Sequence, residues 1–248
     1  MLHRTLVPVG AAALALALAT PALAVRVHVR VEGAKVNLFG ATEPGLTPAT
    51  GTITPPSGPA VTVSAETAFG ALEAASRKGE LFYRVEAFSF GPYVAQVGRL
   101  SGTATTGWVY KVNGVSPPVA ATAYVLKAGD RVLWYHATFG PTGGPKSLRL
   151  LPEYVVGCPG GSGSCSTPRL TCARAVLEDD AGRRTRATGV VFRLDGRRAR
   201  GSGTKICPRG HWHTLSATVA GAVRSQVLVT PRRGSASGSG GVALVGRA

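Results

Sequence analysis

Cys158, Cys165, Cys172 and Cys207, with His211 and His213 just after the last of them, are the side chains of this sequence whose types could hold a transition metal. Thiolates and imidazoles in a tetrahedron suit zinc. The spacing argues against it, because no Cys-x-x-Cys pair occurs and zinc sites usually show tighter spacing. An even cysteine count in an exported chain suits two disulfides, with three possible connectivities. One pairing would close a small loop with Cys158 and Cys165 and clamp the following segment with Cys172 and Cys207. His211 and His213 flank Trp212, so a strand would turn both imidazoles to one face. That pair could take copper or zinc with a third ligand. An exposed strand beside a buried Trp212 is the plainer reading. Glu178, Asp179 and Asp180 form an acidic run in a turn, but a calcium loop needs more oxygen ligands than it offers. A solvated turn is expected there, and no metal is assigned.

The second chemistry on offer is stacking. Gly107 to His136 holds two of the three tryptophans and three of the six tyrosines in a chain that is only 6% aromatic. Rings on adjacent strands can hold a flat ligand or build a core. The candidate ligand-binding set is Tyr93, Trp108, Tyr110, Tyr124 and Trp134, with Asn113 as a polar contact. Trp108 and Tyr110 are two apart, so they face the site together or the core together. Asp130 sits in a Gly-Asp turn and is expected to accept local backbone hydrogen bonds. The sequence has no Gly-x-Ser-x-Gly elbow, phosphate loop or His-Glu-x-x-His helix, and no paired nucleophile and base. A non-enzymatic protein without a cofactor is therefore expected.

These side chains need elements to position them. Val25, Val27, Val29 and Val31 alternate with Arg26, His28, Arg30 and Glu32, the pattern of a half-buried strand with one wet face. Val36, Leu38 and Phe39 supply its hairpin partner. Ala41 to Gly58, rich in Thr, Pro and Gly, reads as a long mobile loop. Thr67 caps the one convincing helix, Ala68, Phe69, Ala71, Leu72 and Ala75 make its apolar stripe, and Gly79 is its expected stop. Gly70 inside it suggests close packing. Strand-like runs follow around Phe82 to Phe90, Tyr93 to Val97, Trp108 to Val112, Tyr124 to Leu126 and Val132 to Tyr135, with a turn at Asn113-Gly114. One helix on a mixed sheet gives an α+β fold of two layers, and the β-grasp is the expected member.

The blocks Val29-Arg30-Val31-Glu32-Gly33, Thr67 to Leu72, Gly91-Pro92-Tyr93-Val94, Gly107-Trp108-Val109-Tyr110-Lys111-Val112-Asn113-Gly114 and Leu126 to Val132 occur in one order. That order resembles the transcobalamin C-terminal-like domain, a bacterial family of largely unknown function, from Val25 to roughly His136. The resemblance implies a β-grasp fold like that of soluble-ligand-binding β-grasp domains. In the animal cobalamin carriers such a domain covers one face of the corrinoid. Those carriers also have a helical barrel, for which this chain has no room, so cobalamin would need a partner to supply the other half of the site.

Residues 1–24 read as a secretory signal peptide, with Arg4, an apolar Leu6 to Ala19 and an Ala-x-Ala-like end at Ala24. No later apolar stretch is long enough to span a bilayer. The expected organisation is a β-grasp domain over 25–140, a Gly/Ser-rich linker over 141–168, a small disulfide-bearing β-sandwich over 169–232 and a flexible tail over 233–248. The second domain weakly resembles the Ig-like or pre-albumin-like repeats of exported bacterial proteins. Charge divides unevenly: ten Lys+Arg meet seven Asp+Glu from Val25 to Gly144, and seventeen meet five from Pro145 to Ala248. The arginines are scattered and not interleaved with aromatics, so nucleic acid is not the expected partner. A secreted, extracellular or envelope-associated protein follows, with two candidate roles: a module for a small flat ligand, or a structural or adhesive protein whose cationic domain meets acidic polymer.

Overall fold

The computed structural model describes residues 24–140, 143–155, 169–199, 203–208 and 212–230. The expected leader up to residue 23, Cys158, Cys165, His211 and the tail from 231 lie outside the described residues.

The first half runs β1 (Val27–Glu32), β2 (Asn37–Phe39), β3 (Gly45–Leu46), β4 (Gly51–Ile53), β5 (Val61–Val63), α1 (Ala68–Gly79), β6 (Tyr83–Phe88), β7 (Gly91–Val97), β8 (Leu100–Ser101), β9 (Thr106–Val112) and β10 (Arg131–Thr138). It is mostly strand, with the single helix of the described residues. The main sheet has the order β2-β1-β10-β9, with β3 also pairing β1. β1 and β10 are its parallel central pair, and both hairpins flanking them are antiparallel. Thr67 accepts from the Gly70 N–H at 3.1 Å, which starts the helix, and Glu80, in the left-handed region at φ 50°, ends it one residue beyond the expected Gly79. The helix buries Phe69, Leu72 and Ala75 against Val27, Val29 and Val31 of β1. Pairing a parallel strand at the sheet's centre with a crossover helix is what lets β1 and β10 lie side by side.

Ala41 to Gly58 differs from the expected mobile insertion. It contains β3, which pairs β1, and β4, which pairs β5, and it buries Ile53. Gly70 explains part of this. The Ala49 N–H donates to Gly70 O at 3.0 Å, and a Cβ on Gly70 would come within 2.1 Å of Ala49 O. The absent side chain thus admits this segment, rather than the sheet, against the helix. The strands β6, β7 and β8 form a sheet of their own beside β9. Tyr124 to Leu126, expected as a strand, makes only an isolated bridge between Val125 and Thr67.

The second half runs β11 (Ser147–Val155), β12 (Arg169–Glu178), β13 (Arg184–Arg186), β14 (Val191–Leu194), β15 (Arg197–Arg198), β16 (Lys205–Ile206), β17 (Thr214–Thr218) and β18 (Leu228–Val229). One sheet is β11-β12-β13 with β16 on β12, and the other is β15-β14-β17-β18. Leu148, Leu150 and Ala175 of the first share a core with Phe192 and Leu215 of the second and with Trp212, just before β17. This is a β-sandwich. Cys172 is bonded to Cys207, the clamp anticipated as one of the connectivities. The expected linker over 141–168 needs correction. Ser147–Val155 within it is a full strand, antiparallel to β12 over its whole length. Its alternating Leu148 and Leu150 supply one wall of the second core, which a linker would leave in water.

The alternation of β1 correctly divides its two faces, but the second is not wet. Arg30 and Glu32 are 2% and 1% exposed, covered by the second half. Arg30 donates to Arg224 O at 2.8 Å and lies 3.4 Å from Glu32. Arg224 Nε reaches Glu32 at 2.9 Å, and Arg149 makes two bonds to Glu43, at 3.2 and 3.3 Å. Leu133, Tyr135 and Ala137 of β10 pack with Val109 and Val223 on the same face. Charged residues can be buried this way because each brings an opposite charge or a carbonyl with it.

This seam titrates with two opposed signs. Burial pushes the Glu43 carboxyl up, but Arg149 and Arg30 outweigh it and hold it below the usual carboxylate range. Burial prevails at Glu32 and keeps it above that range despite Arg30, Asn37 and Arg224. Glu43 therefore contributes stability that is full above its unfolded pKa of about 4.3 and is lost as pH falls through its lower folded value. Glu32 does the reverse, gaining as pH falls through its raised value. In thermal unfolding across acid pH, Glu43→Gln should flatten the loss of stability and Glu32→Gln should steepen it. Equal slopes in the two variants would contradict these assignments.

Candidate functional site

β9 is the outer strand of the main sheet, and β7 runs beside it without pairing to it. The two strands meet near Gly102, whose N–H donates to Ala95 O at 2.9 Å, and a cavity of about 460 Å³ opens between them. Its size falls in the range of small-molecule sites. Trp108 and Tyr110 of β9, Trp134 of β10 and Phe69 of α1 line it from the helix side of the sheet. Tyr93 and Val94 of β7 line another wall, and Pro117, Val119 and Ala121 a third. Phe90 and Phe139 stand at the mouth, 70% and 44% exposed. Phe90 stacks on Phe88 with ring centroids 5.2 Å apart and planes within 4°.

The parity argument for β9 holds, and the two alternatives it posed coincide. Trp108 and Tyr110 are 2% and 8% exposed, part of the main core, and at the same time line the cavity. Tyr110 and Trp134 lie tilted at 31° with centroids 5.5 Å apart. Both indole N–H groups serve the fold, Trp108 to Leu100 O at 2.8 Å and Trp134 to Ala68 O at 3.0 Å. The rings therefore offer faces and edges, not donors. The Tyr110 hydroxyl donates to Val119 O at 2.8 Å, and burial, helped by Tyr124, pushes its pKa up to about 12.

One corner of the cavity is polar, and it joins the two halves of the chain. Ser116, Tyr135 and Asp180 line it. Ser116 Oγ donates to Asp180 Oδ1 at 3.1 Å, and the Gly144 N–H reaches Oδ2 at 3.3 Å. Behind them Lys111 is fully buried. Its Nζ sits 3.1 Å from Asp180 Oδ1 and 3.2 Å from Asp179 O, and 5.8 Å from the centre of the Tyr135 ring. Burial, with Asp180 adding to it, raises the Tyr135 phenol well above its ordinary value. The Tyr135 phenol stays neutral. The acidic run forms the expected turn at Asp179 and Asp180, whose side chains are partly exposed, but Glu178 is 4% exposed against Arg184, and Asp180 also takes Lys111.

Of the six expected contact residues, Tyr93, Trp108, Tyr110 and Trp134 line the cavity. Tyr124 stands behind Tyr110, edge to face at 6.2 Å. Asn113 does not belong to the site. At φ 53° it forms the turn with Gly114, its amide donates to Asp130 at 2.7 Å, and its oxygen accepts from the Arg131 N–H at 3.0 Å. Asp130 also accepts from the Lys127 N–H, the local role expected of it. The residues missed are Phe69, Phe90, Ser116, Tyr135, Phe139 and Asp180. Phe90 and Phe139 carried a signal, as aromatics at the ends of strand-like runs. Asp180 carried none, because it lies beyond the expected domain boundary. No group of three or more His, Cys, Asp or Glu with metal-binding geometry exists among the described residues, and Cys207 is committed to its disulfide. No helix among them is long and apolar enough to cross a membrane.

Residues 65–138 match the family model of a domain of unknown function, DUF4430. The match takes in α1 and β6 to β10, and with them all six expected contact residues. Phe139, Gly144 and Asp180 of the cavity fall outside it. No curated protein matches the chain.

Proposed function

We propose that this chain is an exported, non-enzymatic binding protein whose cavity between β7 and β9 takes a small, largely apolar ring compound. The observation that carries this reading is the convergence of Tyr93, Trp108, Tyr110 and Trp134 on one open cavity. Aromatic walls favour flat rings through offset and edge contacts. The Ser116, Tyr135 and Asp180 corner favours a ligand with one hydrogen-bonding end. The sheet order β2-β1-β10-β9, with its parallel centre and single helix, supports the β-grasp assignment and the resemblance to the transcobalamin C-terminal-like domain. A corrinoid would sit over the mouth, against Phe90 and Phe139, and would still need a partner. The apolar leader at residues 1–24 and the Cys172–Cys207 disulfide support export to an oxidising compartment.

Titration with the neutral probe 1-aminoanthracene, and with cobalamin, tests the reading through probe and tryptophan fluorescence. A single saturable site is expected for the probe. Phe90→Ala and Phe139→Ala, both at the exposed mouth, should each weaken it by about tenfold or less, the worth of one ring contact. If no ring compound binds, and Trp108→Ala unfolds the protein, the aromatics are structural only.

A second reading rests on a different surface. Arg174, Arg184 and Arg186 on one sheet of the second half, and Arg193, Arg197 and Arg198 on the other, are exposed. Such an excess of surface cations suits acidic envelope polymer.

A further inference from the structure

A second, much smaller cavity lies in the seam between the halves. Its volume is about 20 Å³, and Arg30, Arg131, Glu43, Ser147, Arg149 and Glu178 supply its polar lining. Four buried side-chain polar atoms among the described residues lack a hydrogen-bond partner: Arg30 Nε, Arg131 Nε, Ser147 Oγ and Glu32 Oε2. The last is in ion-pair contact with Arg224 Nε at 2.9 Å. The other three all belong to residues lining this cavity. Arg30 Nε is 3.5 Å from Glu43 Oε1 without a hydrogen bond to it.

We propose that this cavity is a site for a monoatomic halide, chloride in the first instance, held between Arg30, Arg131 and Ser147. What the site lacks is an acceptor. A guanidinium Nε can only donate, and a serine hydroxyl has a proton to give. Volume sets the size of the guest: a single water needs about 10–15 Å³ of such space, so sulfate and phosphate are too large. Charge and donor count set its nature. Three arginines meet two glutamates around the cavity, and both carboxylates are already engaged. Glu43 is shared by Arg30 and Arg149, and Glu178 is held by Arg184 at 3.0 Å. A water would accept from two donors and leave the surplus charge in place. A halide accepts from all three and cancels it. Burial disfavours the charged form of both Arg30 and Arg131; Glu43 and Glu32 oppose it at Arg30, and Arg149 adds to it at Arg131.

A guest bound only by the folded chain raises its stability by mass action. Thermal unfolding of the full chain at constant ionic strength should therefore show Tm rising saturably with chloride or bromide and not with gluconate or sulfate. Excess broadening of the chloride-35 NMR line by the folded protein gives a second reading. Ser147→Val, whose methyl groups would occupy the cavity, should abolish both effects while remaining folded by circular dichroism. Equal Tm in chloride and gluconate would mean that the cavity holds water only. Broadening that persists undiminished in folded Ser147→Val would place the anion elsewhere. Either result overturns the proposal. If Ser147→Val does not fold, Arg131→Gln takes its place with the same criteria.

Discussion

Replacing Glu32 with alanine should destabilise the protein by about 3–5 kcal/mol, the usual cost of removing one partner from a buried ion pair. Glu32 is 1% exposed, and three groups converge on it: Arg30, Arg224 and the Asn37 amide at 2.9 Å. Without the carboxylate, Arg30 stays buried with only Glu43 near it, and Arg224 loses the charge that draws its side chain to the first half. Water can reach Arg224 but not Arg30, so the uncompensated cost falls on Arg30. The pairs are coupled, and so the double variant Glu32→Ala/Arg224→Ala should cost less than the sum of the single ones. Urea unfolding of the three variants measures this. A loss under about 1 kcal/mol for Glu32→Ala would show the seam to be solvated, since exposed pairs are worth no more than that.

The disulfide carries a comparable effect. Cys172 and Cys207 are 35 residues apart, and closing a loop of that size in the unfolded chain corresponds to roughly 4 kcal/mol in the chain-entropy picture. The bond sits where β12 pairs β16, beside the Ala173 and Ile206 partners. Cys172→Ser/Cys207→Ser should therefore weaken the sandwich first. Trp212 belongs to the core of the second half, and Trp108 and Trp134 to that of the first. A variant keeping only Trp212 should report an earlier urea transition after reduction than one keeping only Trp108 and Trp134. Coincident transitions would mean that the seam transmits the loss to both halves at once.

What the sequence made legible was local. The Val27, Val29 and Val31 alternation, the Thr67 cap and the Asn113-Gly114 turn each follow from a few neighbouring residues, and each is where it was expected. The aromatic convergence was legible because Trp108, Tyr110 and Trp134 lie on strands whose parity can be read directly. What was not legible is what covers a face. Alternation gave β1 a polar side, but Arg30 and Glu32 look alike in sequence whether water or Arg224 meets them. The same limit hid Asp180, which meets Lys111 and Ser116 only through tertiary packing. It also hid β11, because Leu148 and Leu150 alternate over too short a run, beside a Gly/Ser-rich stretch, to separate a strand from a linker. Asn113 was misassigned because a polar residue beside aromatic strands suits a turn as well as a site.

The polar seam also sets how the molecule responds to heat. The cost of stripping water from charged groups declines as temperature rises, while the gain from burying apolar surface levels off. The contact between the halves, held by Arg30, Glu32, Glu43, Arg149 and Arg224, should soften less on warming than the two cores it joins. Heating then finds no hinge that opens ahead of the rest, and the cavity corner formed by Ser116 and Asp180 stays closed until a core itself melts.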